Sequence, residues 1–368
     1  MQMRNALIKL FSIRLFSAVC ASMMMMMVMA SRVCAAELVT GMNTNIQVWS
    51  DPQRDALIDQ LVTGKVKVIR CGFHNPPAFY LDFAKRLYDK GIKIDLLVGC
   101  GYPASTHARP KSTQYGMRAA DLLSLADPEI SKKNFQTLFD DLDKQGIVLE
   151  GVELGNEFNW ADFNGDFPVP GQGRIFEYDD LTKDPEAKQV AKGFLQYLSC
   201  LAALKEVRDH SHLNKNTPIV LGGLVYFHGW PPPKQKLDGV SLDATMKFLK
   251  AHGLDKLVDI YGIHCYPKEP TAAARKSDVD AICAYGCPPN SNAGKPCWLT
   301  EWGVTFNPDE DAEAKSVKEL MRYFEAWTKK DRLLEVIYFS WNYYGANQKN
   351  PVFRDGKLQP VGKAALEP

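Results

Sequence analysis

Short apolar runs rich in β-branched residues alternate along this chain with longer amphipathic stretches. The alternation predicts repeated strand–helix units around a parallel sheet. Eight runs have the length and composition of strands: Leu38–Ile46, Val66–Cys71, Ile92–Val98, Leu149–Leu154, Ile219–Leu224, Val258–Ile263, Cys297–Thr300 and Val336–Ser340.

The stretches between these runs space their apolar residues as helices do. The predicted helices are Ala78–Lys90, Lys132–Lys144, Ala191–Val207 and Ala314–Trp327, with Pro360–Leu366 as a closing helix. A doubly wound sheet usually has fewer strands and leaves open edges, whereas eight strands fit a closed barrel. The predicted fold is therefore α/β, a single-domain (β/α)8 or TIM barrel.

Length and charge agree with this fold. The chain has 368 residues, and such barrels often run ~250 residues as one domain. Its 44 basic and 43 acidic residues are mixed, for a net charge of +1, and no basic patch suited to nucleic acid is visible. We expect a monomer.

The first 36 residues have the pattern of a signal peptide. Arg4, Lys9 and Arg14 supply positive charge, and Leu15–Ala30 then runs without a charge. A membrane anchor is the alternative, but the run is shorter than a bilayer requires and Arg32 follows it. We predict cleavage, a catalytic domain at residues 37–368, export to the periplasm or the medium, and no membrane span afterwards.

Nine cysteines are present, of which Cys20 and Cys34 fall in the leader. Three others lie in strand-like runs and are interpreted as buried small hydrophobes: Cys71, Cys100 and Cys265. Cys283, Cys287 and Cys297 cluster, so we predict one disulfide, either Cys287–Cys297 or Cys283–Cys297. No cysteine or histidine spacing resembles a zinc site, and we expect neither a metal nor a cofactor.

Two carboxylates follow predicted strands. Glu157 follows the fourth strand after Gly155 and Asn156, and Glu301 comes directly after the seventh. Barrel active sites form at the carboxyl ends of the strands, so the fold brings these residues together at the barrel mouth. A pair of carboxyl groups is what glycoside hydrolysis requires, one to protonate the leaving oxygen and one to attack the anomeric carbon or activate water.

The segments around both residues resemble motifs of the clan A glycoside hydrolases, a superfamily of retaining (β/α)8 enzymes. Leu154-Gly155-Asn156-Glu157 is similar to the acid/base motif of that clan, and Leu299-Thr300-Glu301-Trp302-Gly303 to its nucleophile motif. Within the clan, the sequence as a whole most resembles the group of β-xylosidases, α-iduronidases and exopolysaccharide hydrolases. The resemblance implies a carbohydrate substrate, retention of configuration and carboxyl groups ~5–5.5 Å apart.

The resemblance also implies roles for other residues. Arg70 would keep Glu301 ionised, so Arg70→Ala is expected to damage activity without unfolding the barrel. Asn156 would bond the sugar 2-hydroxyl, Tyr266 would donate to Glu301, and His264 would contact a hydroxyl or Glu157. Three tryptophans are also expected to bind sugar: Trp160, Trp302 and Trp341. Trp302 belongs to the nucleophile motif, and Trp341 would present a flat face to a sugar ring.

Further aromatic residues fall in predicted mouth loops, where they either stack on sugars or pack the loops: Trp49, Tyr102, Trp160, Phe163, Tyr226, Trp230 and Phe306. The segment Ala161–Pro185 is unusually long for a connection, as functional or mobile loops often are.

Two rival functions remain open. A non-catalytic sugar-binding barrel would be favoured by loss of either glutamate, and neither is lost. A barrel using metal or phosphate would need ligand clusters or a glycine-rich phosphate loop, for which Gly222-Gly223 is a weak candidate.

Overall fold

Eight parallel strands within the described part of the chain form one sheet, as predicted. The computed structural model describes residues 37–44, 51–72, 77–227, 236–267, 271–304, 309–342 and 352–367. The barrel strands are β1 Val39–Thr44, β2 Val68–Gly72, β3 Lys93–Val98, β4 Gly151–Asn156, β5 Ile219–Gly223, β6 Tyr261–Cys265, β7 Cys297–Trp302 and β8 Leu333–Asn342.

The sheet order is β5-β4-β3-β2-β1-β8-β7-β6. The two end strands approach each other through parallel bridges, Val220 with Ile260 and Leu224 with Ile263. The sheet is thus a nearly closed barrel, and the (β/α)8 prediction is confirmed.

A helix follows each strand. The helices are α1 Asp51–Thr63, α2 Pro77–Asp89, α3 Pro128–Gln145, α4 Pro185–His210, α5 Leu242–Ala251, α6 Ala272–Gly286, α7 Glu310–Thr328 and α8 Pro360–Leu366. Helices α3 and α4 begin earlier than predicted. Asp127 and Asp184 cap their N-termini, and each cap is followed by proline at the first helical position.

The lower part of the barrel interior is partly polar. We call Asp95, Trp298 and Glu335 the barrel floor, and all three are buried. No described residue donates a hydrogen bond to the carboxyl of Asp95. Burial raises the pKa of Asp95 and of Glu335 well above the ordinary carboxyl value, and neighbouring carboxylates add to the effect.

The cysteine predictions are largely confirmed. Cys287 and Cys297 form a disulfide with their Cα atoms 5.2 Å apart, which ties the end of α6 to the first residue of β7. Cys283 is a buried free thiol, so the second pairing is wrong. Cys71 and Cys265 are buried as expected, whereas Cys100 is only partly buried.

Several predictions fall outside the described residues, namely the leader at residues 1–36 and the mouth aromatics Trp49, Trp230 and Phe306. From Glu37 onward the chain forms one compact unit. No helix in the described ranges has both the length and the apolarity needed to cross a membrane.

Candidate active site

The two predicted carboxylates meet at the carboxyl ends of the strands. Glu301 belongs to β7, and Glu157 follows β4 in a left-handed conformation with φ 47°. The Glu157 backbone N–H donates to the Gly223 carbonyl at 2.8 Å, which anchors this turn on β5. A carboxylate oxygen of Glu157, one of Glu301 and a ring nitrogen of His264 all lie within 4.8 Å of one another.

Arg70 of β2 holds the nucleophile candidate from inside the barrel. Its guanidinium is buried and donates to Glu301 Oε1 at 2.8 Å and to Asn156 Oδ1 at 2.8 Å. It also donates to both carboxylate oxygens of Glu153, at 2.5 and 3.0 Å. Arg70 is therefore shared between the buried Glu153 and the half-buried Glu301, and its contact with Glu301 is as predicted.

Glu153 is a site residue that was not predicted from the sequence. It lies on β4 with 0% exposure, and it also accepts the Gly223 backbone N–H at 2.6 Å. Asn43 of β1 was missed as well, and its side chain accepts from Arg70 at 3.2 Å and donates to the Thr300 carbonyl at 2.9 Å. The available signal for Glu153 was a second glutamate, beside Glu150, inside the predicted strand Leu149–Leu154.

The surroundings of Glu301 favour its ionised form. Burial opposes the charge, but His264, Arg70 and the Tyr266 hydroxyl outweigh it and lower the pKa of Glu301. The Tyr266 hydroxyl donates to Glu301 Oε2 at 2.7 Å, as predicted, while 36% of the tyrosine surface stays exposed at the mouth. A carboxylate held ionised in this way is suited to attack on carbon.

Glu157 has different partners. The indole N–H of Trp160 donates to its Oε2 at 3.1 Å, and Nδ1 of His264 lies 2.7 Å from its Oε1. Burial opposes a charge on His264, yet Glu301 and Glu157 together raise its pKa above the ordinary histidine value. Glu157 thus has a titratable neighbour and no arginine partner among its described contacts.

Glu157, His264 and Glu301 are the one group of described residues spaced to hold a metal ion. The Arg70 guanidinium already occupies one side of Glu301, and its positive charge opposes a second cation there. The geometry favours proton and covalent chemistry at these residues.

Two predicted sugar contacts are wrong. Trp302 has 0% exposure and packs edge-on against Phe324 of α7, because successive strand residues point to opposite sides and Glu301 takes the inner side. Trp341 is buried against α1, where its indole N–H reaches Gln60 Oε1 at 3.4 Å and Phe353 covers its ring. The ring that β8 places beside Tyr266 is Phe339, with the ring centroids 6.4 Å apart, and it was not singled out.

The long connection after β4 is well anchored. Asp238 is buried and accepts the backbone N–H groups of Gln172 and Arg174 at 3.0 and 2.6 Å. Asp166 is held by Ser124 and Gln189. These bonds fix the segment that follows Glu157 against its neighbouring loops. Tyr102, Phe163 and Tyr226 are half-buried in such loops.

Gly223 leaves room for the His264 ring. A Cβ on Gly223 would lie 2.1 Å from His264 Nε2 and 2.7 Å from Thr300 Oγ1. Gly223→Ala is therefore expected to displace His264 from Glu157 and lower kcat/KM about 100-fold, as misplacement near 1 Å can do. Gly99→Ala is the matched control, because a Cβ there meets nothing within 4 Å. Steady-state kinetics of both variants checks this, and equal activity would contradict the packing argument.

Comparisons with known proteins agree with the fold and the motifs. Residues 235–365, which include Glu301 but not Glu157, match the family described as "Glycosyl hydrolase catalytic core". A comparison with curated proteins finds no significant match.

Solved structures of glycosidases have a similar fold. One is a fungal β-1,4-galactanase, with 14% identity over 89% of this chain and 94% of that chain, and a TM-score of 0.51. Wild-type ZgEngAGH5_4 has 12% identity over 90% of this chain and 97% of its own, with a TM-score of 0.54. A family 39 glycoside hydrolase from the gut symbiont Bacteroides cellulosilyticus WH2 has 15% identity, covers 90% and 64%, and has a TM-score of 0.52.

The family match over residues 235–365 agrees with the glycoside hydrolase motif around Glu301, and the solved structures share the barrel fold.

Proposed function

We propose that this chain is a retaining glycoside hydrolase in which Glu301 is the nucleophile and Glu157 the acid/base. The observation that carries the proposal is the contrast between the two carboxylates. They approach within 4.8 Å, yet only Glu301 contacts Arg70 and the Tyr266 hydroxyl in the described contacts. An ionised nucleophile beside a carboxyl of different surroundings is the arrangement that double displacement needs.

The reaction proceeds in two displacements. A Glu301 oxygen attacks the anomeric carbon while Glu157 gives its proton to the departing oxygen, so the glycosidic bond breaks and an ester to Glu301 forms. Glu157 then takes a proton from water, whose oxygen attacks the same carbon and releases Glu301. Two inversions give net retention. We assign Asn156, whose side chain accepts a hydrogen bond from Arg70, to the 2-hydroxyl of the sugar.

The short approach of the carboxylates supports retention over inversion. Inverting enzymes separate their carboxyl groups by ~6.5–9.5 Å to admit a water molecule, whereas retaining enzymes place them ~5–5.5 Å apart. The predicted leader, if cleaved, would place this reaction outside the cytoplasm.

The anomer formed first decides the mechanism. Purified protein is screened against aryl glycosides and polysaccharides, starting with β-1,4-galactan and cello-oligosaccharides because similar structures carry those names. An NMR time course on any substrate turned over should show the retained anomer first. Early appearance of the inverted anomer would refute double displacement, and binding without turnover would favour the sugar-binding barrel.

A further inference from the structure

A second pair of acids lies behind the segment that follows Glu157. Asp238 has 0% exposure, and its carboxylate accepts the backbone N–H groups of Gln172 and Arg174. The carboxyl of Glu186, in the first turn of α4, lies within hydrogen-bonding reach of the Asp238 carboxyl. We call Glu186 and Asp238 the carboxyl pair.

The two oxygens of the Glu186 carboxyl have different surroundings. Its Oε2 accepts from the Arg174 guanidinium, whereas its Oε1 is buried and receives no hydrogen bond from any described residue. Ionised carboxylates can only accept hydrogen bonds, so two of them in contact supply each other with no donor. A proton held between Glu186 and Asp238 provides the missing donor.

The charges around the carboxyl pair also favour a bound proton. Within the described part of the chain, the charged groups that face Glu186 are Arg174, Asp184 and Asp238. Arg174 pairs with Asp184 at 3.0 Å as well, so one guanidinium serves three carboxyl groups. Only 17% of the Glu186 side chain is exposed to water. Burial and the Asp238 carboxyl accordingly raise the pKa of Glu186 to about 7, against the opposing effect of Arg174.

Asp238 is joined to the turn of Glu157 through the backbone. Its carbonyl accepts the Ala161 N–H at 3.0 Å, and the next residue, Gly239, forms an antiparallel bridge with Trp160. The Trp160 indole N–H in turn donates to Glu157. A shift of Asp238 therefore moves the ring that contacts Glu157.

We propose that Glu186 and Asp238 are positioning residues that share one proton, and that loss of this proton loosens the segment carrying Trp160. The effect on Glu157 rests on the proposed hydrolase. With the proton in place, one carboxyl donates to the other and Asp238 keeps its backbone partners. Without it, two carboxylates face each other at a site largely closed to water and repel.

The pH dependence follows from the direction of the shift. The pKa of Glu186 is higher in the folded chain than the ordinary carboxyl value, so folding of this segment binds a proton. The contribution of the carboxyl pair is therefore full below about pH 4 and is lost as pH rises through about 7.

Hydrogen exchange of residues 161–176 measures how firmly the segment is held. After correction for intrinsic exchange, its protection should fall about tenfold between about pH 6 and about pH 8.5, because one proton is released in this interval. Glu186→Gln should abolish the fall, since the glutamine amide donates to Asp238 at every pH.

Glu129→Gln is the matched control, because Glu129 is exposed and occupies the same place in α3, after an aspartate cap and a proline. This variant should keep the fall seen in the wild type. Constant protection in the wild type, or an equal fall in Glu186→Gln, would overturn the proposal.

A titration of the wild-type protein covers the case in which Glu186→Gln does not fold. NMR of labelled carboxyl groups, with the resonance of Glu186 assigned, should show that group titrating at about pH 7. Titration of the assigned resonance at the ordinary carboxyl pKa would refute the shared proton.

Neither measurement requires a substrate. Failure of the wild type to turn over any glycoside would refute the hydrolase and leave the shared proton standing. With a substrate in hand, the alkaline limb of kcat/KM should lie at higher pH in Glu186→Gln than in the wild type. Identical limbs in the two proteins would overturn the positioning role of the carboxyl pair toward Glu157.

Discussion

Glu301→Ala is expected to lower hydrolysis by about 10⁴-fold or more, because loss of a covalent nucleophile removes the whole reaction path. The variant leaves a space on the face from which Glu301 attacks. Azide entering that space should react with an activated glycoside and give a glycosyl azide of inverted configuration. Glu206→Ala, an exposed glutamate of α4, is the control and should retain full activity.

Glu157→Ala should show the opposite stereochemistry. Substrates with good leaving groups still form the glycosyl-enzyme without a proton donor, and added azide should speed its breakdown with net retention. NMR of the azide products distinguishes the two variants. The same configuration from both would contradict the assignment of roles, and a sugar-binding barrel would give no azide product at all.

Arg70→Met is expected to damage both activity and stability. The side chain balances two carboxylates, and removing it leaves Glu153 and Glu301 without their cation. Breaking a buried ion pair from one side costs about 3–5 kcal/mol, so Tm should fall clearly. Activity should fall at least about 100-fold, since burial would then raise the pKa of Glu301 and move the acidic limb of kcat/KM to higher pH.

A double variant separates these effects. Arg70→Met with Glu153→Gln removes the stranded charge of Glu153, so most of the lost stability should return while activity stays low. From the sequence, loss of Arg70 was expected to leave the barrel folded, because only its contact with Glu301 was considered. Its contact with Glu153 changes that expectation. If the double variant unfolds as readily as the single one, charge balance is not what Arg70 provides to the fold.

The positions of the strands and of Glu157 and Glu301 were predictable because apolar runs mark strands and barrel sites form where strands end. Which way each side chain points was harder to predict. The sequence reading took Trp302 and Trp341 as sugar contacts, although both pack outward onto helices. Strand alternation from Glu301 was enough to exclude Trp302 in advance.

Contacts between distant strands were not predictable from one sequence. Glu153 gains its role only because β2 places Arg70 next to β4 through the intervening strand β3. Trp160 and Phe227 similarly come into contact because Asn159 bonds Val225 and joins their two loops. The spacing of these residues along the chain does not indicate either contact. The Cys287–Cys297 disulfide was one of two open pairings, and only the arrangement of α6 against β7 selects it.

The barrel floor makes folding a reaction that takes up protons. Carboxyl groups of an unfolded chain release theirs above pH of about 4, whereas Asp95 and Glu335 keep theirs to higher pH in the folded state. Between those limits the native chain binds more protons than the unfolded chain. The contribution of these two groups to the free energy of unfolding is therefore full below pH of about 4 and declines as pH rises through their folded pKa values. Unfolding heats measured in buffers of different ionisation enthalpy should therefore differ in proportion to the protons released.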